Sequence, residues 1–174
     1  MSLLRRLFSR DIGDRASVRP LYEAIVAEAR LPVWYAEGGV PDSVDGRFDM
    51  LALILSVVLV RLEDEGEAGK VPSTLLAETF IDDMDGQLRQ IGIGDIMVGK
   101  HIGKMMSALG GRLSAYRETI GADDRALGDA LVRNLYRGEA PSPASLASVV
   151  AGIRALHTTV AAVPRDGLLS GKLR

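Results

Sequence analysis

The chain has 174 residues, 47% of them hydrophobic and 25% charged, with a formal net charge of −2 and no cysteine. That is enough apolar material for one domain with a sizeable core, and it excludes disulfide staples and thiol chemistry. Two histidines, His101 and His157, leave little room for metal binding or acid–base work.

The small net charge hides a polarised distribution. Residues 1–19 carry five Arg against two Asp, residues 20–98 carry five basic groups against fifteen acidic ones, and residues 99–118 carry four against one. Basic parts flanking an acidic half suit docking on something anionic, with the acidic face left in solvent. The overall charge disfavours DNA as a partner, and the only basic footprint for a nucleic acid runs from Lys100 to Arg117.

In chain order, Leu3, Leu4, Leu7 and Phe8 alternate with Arg5, Arg6 and Arg10, which predicts a basic amphipathic arm over residues 1–17. The arm lacks the unbroken apolar stretch of a signal peptide, and Leu3, Leu4, Arg5, Arg6, Leu7 and Phe8 are the candidates for membrane docking. Pro20 suits a first helical turn, and Leu21, Tyr22, Ile25, Val26 and Ala29 form an apolar stripe ending at Arg30. A short aromatic piece, PVWYAE, stops at Gly38 and Gly39.

The loop from Val40 leads into the longest apolar run, Met50–Val60. It is shorter than the about 20 residues that cross a bilayer, yet it is apolar on every face, which predicts a central helix buried by other helices and reaching about Glu65. Asp42, Ser43 and Asp45 all offer N-cap oxygens. Within the motif Asp45, Gly46, Arg47, Phe48, Asp49, the expectation is that Arg47 is buried and paired with Asp45, Asp49 or a carboxylate between Asp82 and Asp85.

EDEGEAGK reads as a solvated connector, after which Ser73 caps a helix carrying Leu76, Phe80, Met84 and Leu88 as far as Gly92. Asp95 caps the next, through Val98, Ile102, Met105, Leu109 and Leu113, where Gly99 and Gly103 lie one turn apart and are expected to admit a neighbouring backbone. Asp123 caps a helix through Leu127, Leu131 and Leu135. Ser142 and Pro143 open the last, whose helical period runs from Leu146 to Val163. No segment alternates with period two for long, so the prediction is an all-α domain of about six or seven helices over residues 18–164, with residues 165–174 a loose tail.

Little chemistry assembles along this order. Asp82, Asp83 and Asp85 resemble part of a Mg²⁺-diphosphate site, but the spacing is wrong and no second acidic motif exists, so a solvated helix face is expected. The Gly92–Asp95 loop with Lys100 is a poor phosphate cradle, because the Asp95 carboxylate takes the capping position and repels an anion. No nucleophile elbow occurs. The expectation is therefore no catalytic residue, no metal and no cofactor. Met84, Met97, Met105 and Met106 are flexible side chains suited to a groove for apolar helices, and Met97, Lys100, Lys104 and Met105 are the candidate client-binding residues. The alternative is a small all-α enzyme or binding module that uses Asp82, Asp83 and Lys100 on a phosphorylated or isoprenoid ligand.

Four blocks, LYEAIVAEARLPVWY (21–35), VPDSVDGRFDM (40–50), FIDDMDGQLRQIGIGDIMVGK (80–100) and GGRLSAY (110–116), resemble the ubiquinol-cytochrome c chaperone family, assembly factors of the cytochrome bc1 complex. The resemblance covers about residues 18–140. It implies an all-helical, non-enzymatic chaperone that binds newly made cytochrome b near the membrane, with no catalytic residues to assign. Arg5, Arg6, Lys100 and Lys104 are then available to anionic lipid, or to ribosomal RNA at the site of synthesis. No long leader precedes the first block, which points to a bacterial cytoplasmic protein, peripheral on the inner face of the cytoplasmic membrane.

Overall fold

The apolar run becomes the axis of the molecule. The computed structural model describes residues 15–90, 92 and 95–174, so the arm residues Leu3, Leu4, Arg5, Arg6, Leu7 and Phe8 lie outside the described residues. Among those described, every regular element is a helix: α1 (Arg19–Ala29), α2 (Pro32–Ala36), α3 (Val44–Glu63), α4 (Glu67–Gln90), α5 (Asp95–Thr119), α6 (Asp124–Asn134), α7 (Pro143–Ala162) and α8 (Arg165–Leu169). Six have eleven residues or more and two have five, which is the all-α class expected.

Helix α3 is buried almost continuously from Asp49 to Leu59 and packs against α1, α4, α5 and α7. An all-round apolar helix loses water on every face only if neighbours surround it, and four helices do so here. Capping follows the sequence: Ser43, Asp123 and Ser142 each accept a backbone N–H in the first turn of α3, α6 and α7. Helix α7 has the length and mean hydropathy, 1.3, of a membrane span, with 28% of that stretch buried. In this fold one of its sides, through Val149, Val150, Ile153, Leu156 and Val160, is buried in the core.

Two expectations fail. Ser73 does not cap α4, which begins at Glu67 and carries Pro72 inside it. Gly69 explains the early start: a Cβ there would run into the Leu62 carbonyl, so only glycine lets the first turn of α4 lie on the last turn of α3. Nor is the segment 165–174 loose. Leu168 and Leu173 are buried, and Arg174 donates two hydrogen bonds, at 2.9 and 2.7 Å, to the buried Glu28 on α1. Two leucines and a terminal guanidinium were too few to register as a pattern, but tertiary contacts order them.

Burial of the tyrosines gives the fold a distinctive alkaline limit. Burial raises the pKa of all four: Tyr136 is pushed up to about 12, while Tyr22 and Tyr116 lie well above their ordinary value. Tyr22 is raised further by the hydrogen bond that it donates to Asp83, at 2.6 Å. A raised folded-state pKa means that the unfolded chain loses these protons first, so stability is fully present below about pH 10 and falls as the pH rises beyond it. In an alkaline titration, tyrosinate absorbance is expected to grow together with loss of helical circular dichroism. Ionisation of all four near pH 10 in a chain that stays helical would contradict the burial.

Candidate functional site

The first two turns of α3 divide their side chains between two faces. Gly46, Asp49, Met50 and Leu53 share one face at helical spacing, and Val44, Arg47, Phe48 and Leu51 share another. On the first, a Cβ at Gly46 would strike the Pro41 carbonyl, so the entering loop folds back tightly on the helix. Asp49 follows, with no solvent exposure. Its Oδ1 accepts from Arg112 Nη2 on α5 at 2.6 Å, and its Oδ2 accepts from Arg137 Nε, after α6, at 2.6 Å. Arg137 also bridges to Asp45 at 2.6 Å, and holds a left-handed backbone with φ 55°. That conformation costs of order 1 kcal/mol for a residue with a side chain, which two charge-assisted hydrogen bonds offset.

Arg47 was expected in this buried role and does not fill it. Its side chain is exposed and donates to Asp42 at 2.7 Å, a surface pair that also holds the Asp42 carboxyl below its ordinary pKa. The buried charge of the motif is Asp49, and its partners come from α5 and from the segment after α6.

The second face opens on a cleft of about 220 Å³ between α1, α2, α3, α4 and α5. Its apolar walls are Val26, Leu51, Met84, Leu88 and Met105, and Arg30, Arg47, Asp83 and Gln87 stand among them. Val44, 76% exposed, marks its edge at the start of α3. Phe48 joins the two faces: it lines the cleft, lies 5.7 Å from the Arg112 guanidinium, and meets Phe80 with ring centroids 6.0 Å apart. The charge network thus holds one wall of the cleft.

A second, shallower depression of about 620 Å³ adjoins the cleft, shares Val26, Arg30 and Asp83 with it, and extends along α1 and α4 to Arg15. Tyr35 donates to the Ala29 carbonyl at 2.8 Å and Trp34 to the Glu28 carbonyl at 2.8 Å, which ties α2 across the end of α1 and closes the third side.

Of the candidate client residues, Met105 lines the cleft. Met97, 47% exposed, and the exposed Lys100 and Lys104 lie elsewhere on α5 and line neither the cleft nor the depression. Gly99 and Gly103 admit no neighbour: a Cβ at either meets nothing within 4 Å. The expected close helix contact is absent because both residues are exposed. Gly103→Ala should then stabilise the protein by about 0.5–1 kcal/mol through helix propensity alone. A thermal melt checks this, and a lowered Tm would mean that the face is packed after all.

Chemical machinery is sparse. Among the described residues, no group of three or more His, Cys, Asp or Glu side chains is placed to hold a metal ion. Asp82 is engaged by Arg15 at 2.5 Å and Asp83 by Tyr22. Residues that sequence reasoning missed are Val26, Arg30, Val44 and Gln87. Their signal lay in helix phase: 44, 47, 48 and 51 on α3, and 83, 84, 87 and 88 on α4, each form one stripe.

Comparison with known proteins gives one consistent result. Residues 36–174 match the profile of the family described as ubiquinol-cytochrome C chaperone. The chain is 25% identical over 134 residues to ubiquinol-cytochrome-c reductase complex assembly factor 1 of Xenopus laevis, covering 77% of this chain and 67% of that protein. It is 23% identical over 155 residues to the Mus musculus protein of the same name, covering 88% and 52%, and 23% identical over 134 residues to that of Homo sapiens, covering 77% and 45%. The chain therefore spans about half to two thirds of the length of these relatives. The crystal structure of the Cbp3 homolog from Brucella abortus is similar with a TM-score of 0.78 at 32% identity, over 97% of this chain and 94% of that one.

Proposed function

Because the chain belongs to the ubiquinol-cytochrome c chaperone family, we propose that it is a non-enzymatic assembly chaperone that holds an apolar helical segment of newly made cytochrome b until the cytochrome bc1 complex forms. The observation that carries this reading is the cleft. Its volume of about 220 Å³ suits one or two large side chains, since a cavity of about 150 Å³ holds a benzene ring. Walls of Leu, Met and Val match recognition of an amphipathic helix by its anchors at i, i+3, i+4 and i+7. Methionines at 84 and 105 let the walls adjust to apolar surfaces of different shape.

Binding, not chemistry, is the activity that this arrangement supports. The phosphorylated- or isoprenoid-ligand alternative finds no support in the geometry, because Asp82 and Asp83 are occupied by protein partners. Deletion of the gene should lower the assembled bc1 complex and the cytochrome b haem absorbance, with other respiratory complexes retained. Normal bc1 levels in the deletion strain would overturn the reading.

The arm adds a place to the activity. Four apolar side chains, Leu3, Leu4, Leu7 and Phe8, with arginines worth about 1 kcal/mol each near an anionic leaflet, support weak, reversible, peripheral docking on the inner face of a bacterial cytoplasmic membrane. Co-sedimentation with phosphatidylglycerol vesicles should fall on adding salt and in a Leu4→Ser/Phe8→Ser variant. Binding indifferent to both would remove the arm from membrane docking.

A further inference from the structure

Two guanidiniums stand in the cleft lining, one at the end of α1 and one in the first turns of α3, and their electrical situations differ. Arg47 is neutralised by Asp42, at 2.7 Å. Arg30 is exposed, and among the described residues its guanidinium makes no ion pair and no hydrogen bond. Its backbone N–H closes α1 on the Val26 and Ala27 carbonyls, so the side chain is anchored at its root while its charge stays free. Arg30 borders the cleft, the depression along α1 and α4, and a third hollow that it shares with Pro32, Ala36, Asp42 and Arg47. It is close enough to Tyr22 and Tyr35 for its charge to pull their phenolic pKa values down against the rise that burial causes.

The charge of the cleft is therefore uneven. Asp83 supplies the carboxylate of the lining, on the α4 wall, where it accepts from Tyr22 at 2.6 Å and from Gln87 at 3.1 Å. With Arg47 cancelled by Asp42, the end where Arg30 stands keeps one positive charge. A single carboxylate matches it, and a guanidinium fork receives a carboxylate through two parallel hydrogen bonds. A phosphodiester chain or a leaflet of headgroups would bring several negative charges towards Asp42 and Asp83, and would offer no side chain to Leu51, Met84 and Met105. On a helix whose anchor enters the cleft, a residue three or four positions away shares the docking face.

We propose that Arg30 is a specificity residue of the cleft, which receives an Asp or Glu carboxylate of the client segment set three or four residues from its apolar anchor. A segment with Lys or Arg at that position is rejected, because it meets an uncompensated cation. Ionisable residues are rare within membrane-spanning stretches, so this pairing selects the end of such a stretch over its all-apolar middle. A charge at the rim also steers the encounter and fixes the register in which the anchor enters.

This rests on the cleft being the client site, and the test separates the two. The probes are three labelled amphipathic helical peptides with Leu and Phe anchors at i and i+4, identical except for Glu, Gln or Lys at i+3. The full chain is expected to bind the Glu peptide about fivefold more tightly than the Gln peptide, and the Lys peptide most weakly, with the differences shrinking as salt is added. Arg30→Gln should abolish the preference and leave the Gln peptide bound as before. Arg30→Glu should reverse it in favour of the Lys peptide. Arg30 also lies at the negative end of the α1 dipole, and a merely structural role there would weaken all three peptides alike. Equal binding of the three, still weakened by Met105→Ala, would overturn the proposal and leave the cleft as the client site. Binding of none would count against both. Loss of binding to phosphatidylglycerol vesicles in Arg30→Gln, with the peptide preference intact, would overturn the proposal and assign Arg30 to lipid.

Discussion

Asp49→Ala is expected to lower the melting temperature by about 10 °C. Removing one partner of a buried ion pair costs about 3–5 kcal/mol, because the other charge is left without compensation, and for a chain of this size each kcal/mol moves Tm by about 2–4 °C. The stranded group is Arg112, whose side chain is only 14% exposed and whose Nε already has no hydrogen-bond partner. Arg137 suffers less, since it is half exposed and keeps Asp45. Arg112→Ala should be similarly severe, because it leaves a fully buried carboxylate on one remaining partner and removes the cation over Phe48. Replacing both together, Asp49→Leu with Arg112→Met, should recover much of the loss, as no charge is then stranded. Melts of the two single variants and the double one check the account. Single variants that melt like the wild type, or a double variant as unstable as their sum, would show that the network does not hold α3 and α5 together.

The second large effect is on binding rather than on folding. Val44→Glu combined with Met105→Ala is expected to reduce capture of newly made cytochrome b by about tenfold or more, because one change sets a charge at the mouth of the cleft and the other removes part of an apolar wall. Stability should change little. Val44 is exposed at the first position of α3, where a glutamate is compatible with the helix and favourable to its dipole, and Met105 is half-buried. Capture is read by co-purification from the native organism, and stability by a melt of the same preparation. Undiminished capture would move the client away from the cleft.

Much of the fold is legible in the sequence because its signals are local. The caps at Ser43, Asp123 and Ser142, the proline at Pro20 and the all-round apolar run each act within a turn or two, and each reappears where expected. The partners of Asp49 are not local. They lie 63 and 88 residues away, and nothing in a single sequence singles out Arg112 and Arg137 from the other arginines. The expectation of a buried Arg47, with Asp49 as one of its possible partners, misjudges helix phase, since Arg47 and the buried Asp49 differ by about 200° around the axis. Asp49 shares its face with Met50 and Leu53, and Arg47 shares its own with the exposed Val44. The cleft was only half visible. Of the four candidate client residues only Met105 lines the cleft, while Met97 and the lysines sit on another part of α5. Where these helices converge is decided by packing, which composition does not specify. Gly99 and Gly103 show the same limit: one-turn spacing places two glycines on one face and says nothing about whether a neighbour is there.

A client seated in the cleft between α1, α2, α3, α4 and α5 lies within reach of side chains at its rim. A photo-crosslinking amino acid placed in turn at Val44, Gln87, Met97 and Thr158 of the full chain, during synthesis of cytochrome b, reports where the client lies. Adducts with cytochrome b are expected from Val44 and Gln87 at the cleft, and none from Thr158 on α7. Adducts from Met97 or Thr158 with none from Val44 or Gln87 would contradict a client seated in the cleft.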